Sequence, residues 1–308
     1  MIDKKSLDRW FNTSLLMLLL ITFLNSLCRH PYHTNPDLRL LVGDTLILND
    51  SIHYFNPVIS PKDKKVYYLG VPWDSVYSGL YAGSIYTINF DGTDNKKFLE
   101  GKFRNIAISQ DGEKLAVSNC RSYFPFEPES LILIINTTSM QMDSFWVSQR
   151  EIEKIEWGRN GDYLYYSFLY YTYDTIRVRS LIYRLHLSSA TEEFIDTFPR
   201  VVGFDLFNND SLYLDPVMAH CQINPIDNKY AIGIWSGYEF LMRNIETNKL
   251  DTLRSFAQPY ARGKVDYPYW HPEENTIIFM AREEVGHGRG TPGEIWILGN
   301  VFEYIKEQ

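Results

Sequence analysis

Apolar residues along this chain recur in a fixed frame and not in continuous runs. Five segments align on Ile59, Ile108, Trp157, Ile223 and Trp270, with Pro57, Ile106, Ile155, Cys221 and Pro268 two residues earlier. Seven residues later stand Val66, Leu115, Leu164, Tyr230 and Ile277, and nine later Tyr68, Val117, Tyr166, Ile232 and Phe279. A spacing of two keeps side chains on one face of a strand, so each half of the frame reads as a strand with alternating faces. Turn chemistry separates the halves: Ser60-Pro61-Lys62-Asp63, Ser109-Gln110-Asp111-Gly112, Gly158-Arg159-Asn160-Gly161, Asn224-Pro225-Ile226-Asp227 and His271-Pro272-Glu273-Glu274. Pro, Gly and Asx residues stand where the chain must reverse and no ladder hydrogen bond is required. The frame predicts five strand–turn–strand hairpins.

The reference positions are 49, 49, 66 and 47 residues apart. A period near 48 holds about four strands, which is one propeller blade. A second hairpin in each unit agrees: residues 84–90 turn at Asp91-Gly92 into 97–99, 131–136 into 144–147, 181–187 into 193–198, and 240–245 into 250–256. The gap of 66 is too long for one blade and too short for two. Residues 202–207 and 212–214, joined through Asn208-Asn209-Asp210, fit a truncated blade without its outer two strands. The last unit has a third strand at 294–298, and residues 45–48 are the candidate for its outer strand, a closure that removes two exposed edges. The expectation is all-β: a β-propeller of four-stranded antiparallel blades, six blade positions with one truncated. Five blades plus a hairpin is the alternative.

One copy of the frame carries a further signature. The apolar-x-apolar-Ser-Pro hairpin of residues 57–68, followed by a strand and Asp91-Gly92-Thr93, resembles the TolB-like six-bladed propeller repeat. The resemblance covers most of residues 52–298 in degenerate copies: only the first has Ser-Pro, and Gly158-Arg159 follows Trp157. It implies the fold and a periplasmic or surface binding role, and it transfers no catalytic motif.

Composition supports one large domain. The 308 residues are 45% hydrophobic and 22% charged, which suits a buried core and not a disordered chain. Aromatics make up 15%, with 22 Tyr, a residue whose ring covers a pleated surface while its hydroxyl stays wet. The net charge of −8, without a basic run, argues against nucleic acid as a partner. Lys4, Lys5 and Arg9 precede an apolar run over 15–24, broken only by Thr22. That is a targeting segment, too short for a spanning helix. Cys28 follows Leu24-Asn25-Ser26-Leu27, so it reads as the acylated first residue of an exported lipoprotein, although Leu27 occupies a place usually held by a small residue. A plain secretory signal and an uncleaved anchor are the alternatives. The resulting division is a targeting segment over 1–27 and a propeller over 28–308, exported and attached to a membrane through its N-terminus. Cys120 and Cys221 have no metal-type spacing and read as small core residues, with a disulfide between them left open.

Adjacent strands of a blade run in opposite directions, so the loops joining second to third strands share one rim with the loops joining blades. That rim carries Trp73, Tyr77 and Tyr81, then Tyr123 and Phe126, then Tyr171 and Tyr173, then Trp235 and Tyr238. The last blade adds a Gly-rich stretch with His287 and Arg289. Loop aromatics offer contact area at low entropic cost, which makes the rim a candidate binding face. Packing of each ring beneath its own loop is the competing reading. Gly286–Gly290 joins two strands and opens no helix, so it is not read as a nucleotide cradle. His220 and His271 fall at opposite ends of their strands, which argues against a shared metal. No nucleophile elbow or diagnostic acid pair stands out, and no cofactor is called for. The expected function is non-enzymatic: a cell-envelope binding or scaffold propeller recognising a protein, peptide or glycan. The enzyme alternative is a glycan lyase or hydrolase at the channel mouth, using carboxylates such as Glu127, Glu153 or Asp266. A third reading is a component of a larger envelope assembly with no small ligand.

Overall fold

The computed structural model describes residues 44–47, 51–73, 82–119, 130–148, 152–172, 177–199, 203–207, 209–215, 217–235, 239–253, 263–285, 289–290 and 293–304. Strand β1 (Asp44–Ile47) comes first in the chain and pairs last in the ring. The first blade is β2 (Ile52–Ser60), β3 (Lys65–Pro72), β4 (Gly83–Asn89) and the start of β5 (Lys96–Ile108). Strand β5 does not stop at the blade's edge. Its first part pairs with β4, and from Phe103 onward it pairs with β6 (Lys114–Asn119), followed by β7 (Ser130–Asn136) and β8 (Met142–Val147). Two blades thereby share one seven-stranded sheet.

The third blade is β9 (Ile152–Trp157), β10 (Tyr163–Thr172), β11 (Arg177–His186) and β12 (Thr191–Pro199). Among the described residues the fourth has only β13 (Gly203–Leu206) and β14 (Leu212–Asp215). The fifth is β15 (Ala219–Ile223), β16 (Tyr230–Trp235), β17 (Glu239–Asn244) and β18 (Leu250–Thr252). The sixth contains β19 (Gly263–Trp270), β20 (Ile277–Val285), the two-residue β21 (Arg289–Gly290) and β22 (Glu294–Leu298). Its outermost strand is β1, antiparallel to β22 with Thr45 opposite Trp296. All are antiparallel pairings. The described strands occupy the six blade positions expected, including the truncated one and the terminal closure.

Local chemistry explains the hairpins. In the second blade Asp111 Oδ1 accepts from Ser109 Oγ (2.6 Å) and Glu113 N (2.9 Å), while Gly112 N donates to Ser109 O (2.8 Å). Gly112 needs φ +73°, which a Cβ would strain. The reference residues Ile59, Ile108, Trp157, Ile223 and Trp270 are all buried. Alternation fails in the strands that follow them: Val66 to Val71 and Leu164 to Phe168 are buried without a break. Second strands lie between neighbouring blades and are covered on both faces, so they read as continuous rather than alternating.

Side chains stitch blade to blade. Trp157 Nε1 donates to Ala107 O (3.3 Å), and Trp270 Nε1 donates to Gln222 O (3.1 Å), each reaching the preceding blade's inner strand one residue before its own reference position. Asn105 Nδ2 donates to Ile152 O (2.6 Å) and Ser118 Oγ (3.1 Å). At the closing seam Tyr54 N donates to Gly293 O (3.0 Å), and Gly293 N donates to His53 Nδ1 (2.7 Å). Burial, with the Arg282 charge adding to it, pulls the His53 imidazole down to about 4, so it stays neutral and available as an acceptor at this seam.

The short fourth blade is held by charge. Asp215, fully buried, faces Arg243 of the fifth blade (Nε–Oδ2 2.5 Å) and accepts from Tyr213 Oη (3.0 Å), Val217 N (2.9 Å) and Met218 N (3.0 Å). Burial alone would raise the Asp215 carboxyl, but Arg243 and the two amides win and hold it below the ordinary carboxylate value. On the axial side Lys154 Nζ reaches both following inner strands, donating to Phe204 O and to Cys221 O (2.7 Å), and pairs with Glu156 (2.8 Å). Burial opposes the Lys154 charge, yet Glu156 and Asp205 outweigh it and raise its pKa. These ionic contacts add to an apolar packing that the short blade keeps, with Phe204 and Leu206 buried against Tyr165 and Ile182 of the third blade. Gly203 packs so closely that an added Cβ would meet Met218 O at 2.4 Å. Cys221 is a free, fully buried thiol whose pKa burial pushes well up, so it acts as a small core residue.

Candidate functional site

Five of the six inner strands place a residue with a polar side chain at the axis three positions before the reference residue; the truncated blade has Gly203 there. Asn56, Asn105, Lys154, His220 and Tyr267 line a channel with about 30 Å³ of free volume, enough for roughly two waters. The ladders break at this level: in β2 between Phe55 and Val58, in β5 between Phe103 and Asn105, in β15 between Ala219 and Gln222, in β19 between Asp266 and Tyr269. Asn56, His220 and Tyr267 sit at these bulges with φ of 52°, 47° and 51°. Asn and His are the non-Gly residues, with Asp, found most often in that region; for Tyr it costs on the order of 1 kcal/mol. A bulge re-aims a side chain, and here three of them aim polar groups around one axis.

The ring is electrostatically self-contained. His220 Nε2 lies 3.4 Å from Asp266 Oδ1, and its ring is 4.5 Å from that of Tyr267. Arg104 Nη2 lies 3.1 Å from Glu153 Oε1. Two of the carboxylates considered for the enzyme alternative therefore each face a basic side chain of their own. Glu127 lies outside the described residues. Among the described residues, no group of three or more His, Cys, Asp or Glu is arranged to hold a metal ion. His271 stands apart from His220: it is buried just past β19, its Nδ1 accepts from Glu273 N (3.2 Å), and its ring meets Phe90 edge-on.

The rim residues singled out from the sequence divide into three groups. Trp73 directly follows β3; it is half-buried, packs against the first blade's core, and its ring lies 5.6 Å from His53. Tyr171 is next to last in β10, Trp235 ends β16, and Arg289 begins β21, placing their backbones at or just beyond the ends of second strands. Tyr77, Tyr81, Tyr123, Phe126, Tyr173, Tyr238 and His287 lie outside the described residues, as do Cys28 and Cys120.

Solved structures share the blade architecture of this chain. The WD40 repeats of RRP9 match with a TM-score of 0.53 and 10% identity, over 86% of this chain and 98% of that one. The fold is a β-propeller. The β-propeller domain of Cps50 (Swd1) from Myceliophteria thermophila matches at 0.50 and 9% identity, over 83% of this chain and 98% of that one. TolB from Acinetobacter baumannii matches at 0.42 and 14% identity over 86% of this chain, which spans 57% of that TolB. No protein-family model matches the sequence, and no curated protein matches it.

The propeller axis has a second opening, which the sequence reading passed over. At the mouth beside the Ser-Pro-type turns, a funnel of about 230 Å³ free volume takes a residue from every blade position, among them Ile59, Gln110, Trp157, Asp205, Pro225 and Trp270. Arg159 and Tyr269 also line it. The short turns on that side close hairpins, as expected, but the inner strands splay enough beneath them to leave a cavity. One signal could have located the channel ring in advance. The third position before each reference residue reads Asn, Asn, Lys, His, Tyr, a recurrent polar site inside an apolar frame.

Proposed function

We propose that this chain is an exported, non-enzymatic binding propeller whose recognition face is the loop-side mouth of its channel. The observation that carries the proposal is the pair His220 and Tyr267, held at positive φ beside the axis. Such strain persists only where the surrounding structure enforces it, and it concentrates at binding and catalytic sites. Binding is favoured over hydrolysis because Glu153 and Asp266 are each matched to Arg104 and His220. Glycoside cleavage instead requires two carboxyls poised about 5–10 Å apart across a sugar. The second strands lead from this level toward Trp73, Tyr171 and Trp235, which supply the aromatic anchors for an envelope protein, peptide or glycan.

A pull-down from native envelope tests the assignment. Wild-type protein is expected to capture a partner, and a combined Trp73→Ala, Tyr123→Ala and Trp235→Ala variant to lose it, each well-buried anchor costing about 2 kcal/mol or more. Asp91→Ala, in a turn of the opposite rim, should leave capture intact. Capture by a folded triple variant at wild-type levels would remove the loop-side mouth from consideration.

Export rests on Lys4, Lys5 and Arg9 ahead of the apolar run, and lipid attachment on Cys28. Intact-mass measurement of native protein is expected to show loss of residues 1–27 and added acyl mass on Cys28. A native chain that starts at Met1 and partitions with the cytoplasm contradicts this part of the reading without touching the binding face.

A further inference from the structure

The turn-side funnel is on the opposite mouth from the proposed recognition face and does not depend on it. Most of its charge is already spent. Glu156 pairs with Lys154 and accepts from Gln222 Nε2 (2.6 Å), and Asp205 accepts from Leu206 N (2.8 Å) and Ile223 N (2.5 Å). What is left over is specific. Arg159 donates one bond through Nη2, to Leu206 O (2.8 Å), while its Nε is buried with no hydrogen-bond partner and its Nη1 bonds to no described residue. The Tyr269 hydroxyl bonds to no described residue either, and burial, then Glu156, push its pKa up, so it remains protonated and able to donate. Exposed Gln110 and Glu273 add amide and carboxylate acceptors at the lip.

Charge decides the ligand class. Arg159 in the wall, and Lys154 behind it through its pair with Glu156, balance Glu156 and Asp205, so the surroundings of the unspent donors are neutral before anything binds, and Glu273 makes the lip slightly negative. An anion entering there gains nothing from the net field, and a cation meets Arg159. A neutral molecule whose groups both donate and accept can use all four unspent side chains. The free volume of about 230 Å³ falls below the span of roughly 300–1,000 Å³ typical of larger ligand pockets, which limits the guest to one small ring or chain. We infer that the turn-side mouth is a second binding site, for a neutral, hydroxyl-rich molecule of about monosaccharide size, held by Arg159 and Tyr269.

Titration of the purified full-length chain in detergent with glucose, N-acetylglucosamine, gluconate and glucosamine, followed by calorimetry or by intrinsic fluorescence, tests the inference. Saturable binding is expected for at least one of the two neutral sugars, and at least tenfold weaker binding for gluconate and glucosamine. Tyr269→Phe removes only a hydroxyl and should weaken the sugar about fivefold, the size of one neutral hydrogen bond. Arg159→Gln should weaken it tenfold or more, as loss of a charged donor does, and the Phe variant remains decisive if the Gln variant unfolds. The loop-side triple variant should bind sugar as wild type does, so failure of this site and failure of the recognition face give different patterns. No saturable binding of either neutral sugar, tighter binding of gluconate, or affinity unchanged in Tyr269→Phe would each overturn the assignment.

Discussion

Replacing Lys154 by Met is expected to lower folding stability by about 3–5 kcal/mol, the usual cost of leaving one partner of a buried ion pair without the other. Lys154 is the only described side chain that donates to both Phe204 O and Cys221 O, so it bridges β9 to β13 and β15 across the truncated blade. Its loss strands Glu156, whose remaining described partner is Gln222 Nε2. For a domain of this size the change corresponds to a fall in Tm of roughly 10 °C. The double change Lys154→Met with Glu156→Leu should recover most of it, because two apolar groups of similar shape leave no uncompensated charge. Thermal unfolding of the two variants settles the matter. A single variant within 1 kcal/mol of wild type would mean that the pair is solvated and that the short blade is held by something else.

Asp215→Asn should cost about 3 kcal/mol or more, and the damage should be local. Asp215 receives the Arg243 guanidinium together with the amides of Val217 and Met218, so it fastens the end of β14, the entry to β15 and the face of β17 at one point. Asparagine keeps the shape but has one oxygen acceptor in place of two charged ones, leaving Arg243 in a buried setting without its counter-charge. Hydrogen exchange should then show faster opening of residues 203–215 than of the third or sixth blade. Uniform loss of protection across all blades would contradict the view that this blade is separately anchored. Acid should act in the same direction. The folded pKa of Asp215 is depressed, so its stabilisation is present above the ordinary carboxylate value and disappears as pH falls through the lower folded one.

Architecture was legible in the sequence because propeller blades repeat, and a repeat can be read even from degenerate copies. The aligned positions Ile59, Ile108, Trp157, Ile223 and Trp270 fall at or next to the ends of inner strands, and Glu294–Leu298 is found as a strand with the bounds expected. The irregular gap before Ile223 contains the two-stranded blade. Less was legible where tertiary context overrides local pattern. Period-two alternation was expected in the strand at Leu164, but neighbouring blades cover both of its faces. Residues 97–99 looked like a short outer strand, whereas β5 runs unbroken from Lys96 to Ile108 because one blade's edge continues into the next blade's inner strand. The candidate site was legible only as a rim. Bulges at Asn56, His220 and Tyr267 depend on backbone geometry that no residue type dictates, and the turn-side funnel depends on how far six strands splay.

The order in which the chain is made gives the pairing of β1 with β22 a temporal meaning. About 250 residues separate the two strands. At translation rates of roughly 5–20 residues per second, β1 leaves the ribosome some 10–50 s before its partner exists. Throughout that interval the first-made strand has no native neighbour, and each completed blade can only extend an open arc. The long loop closed by this contact places it among the slowest to form. Among the described strands, the first to be made is thus the one that pairs last.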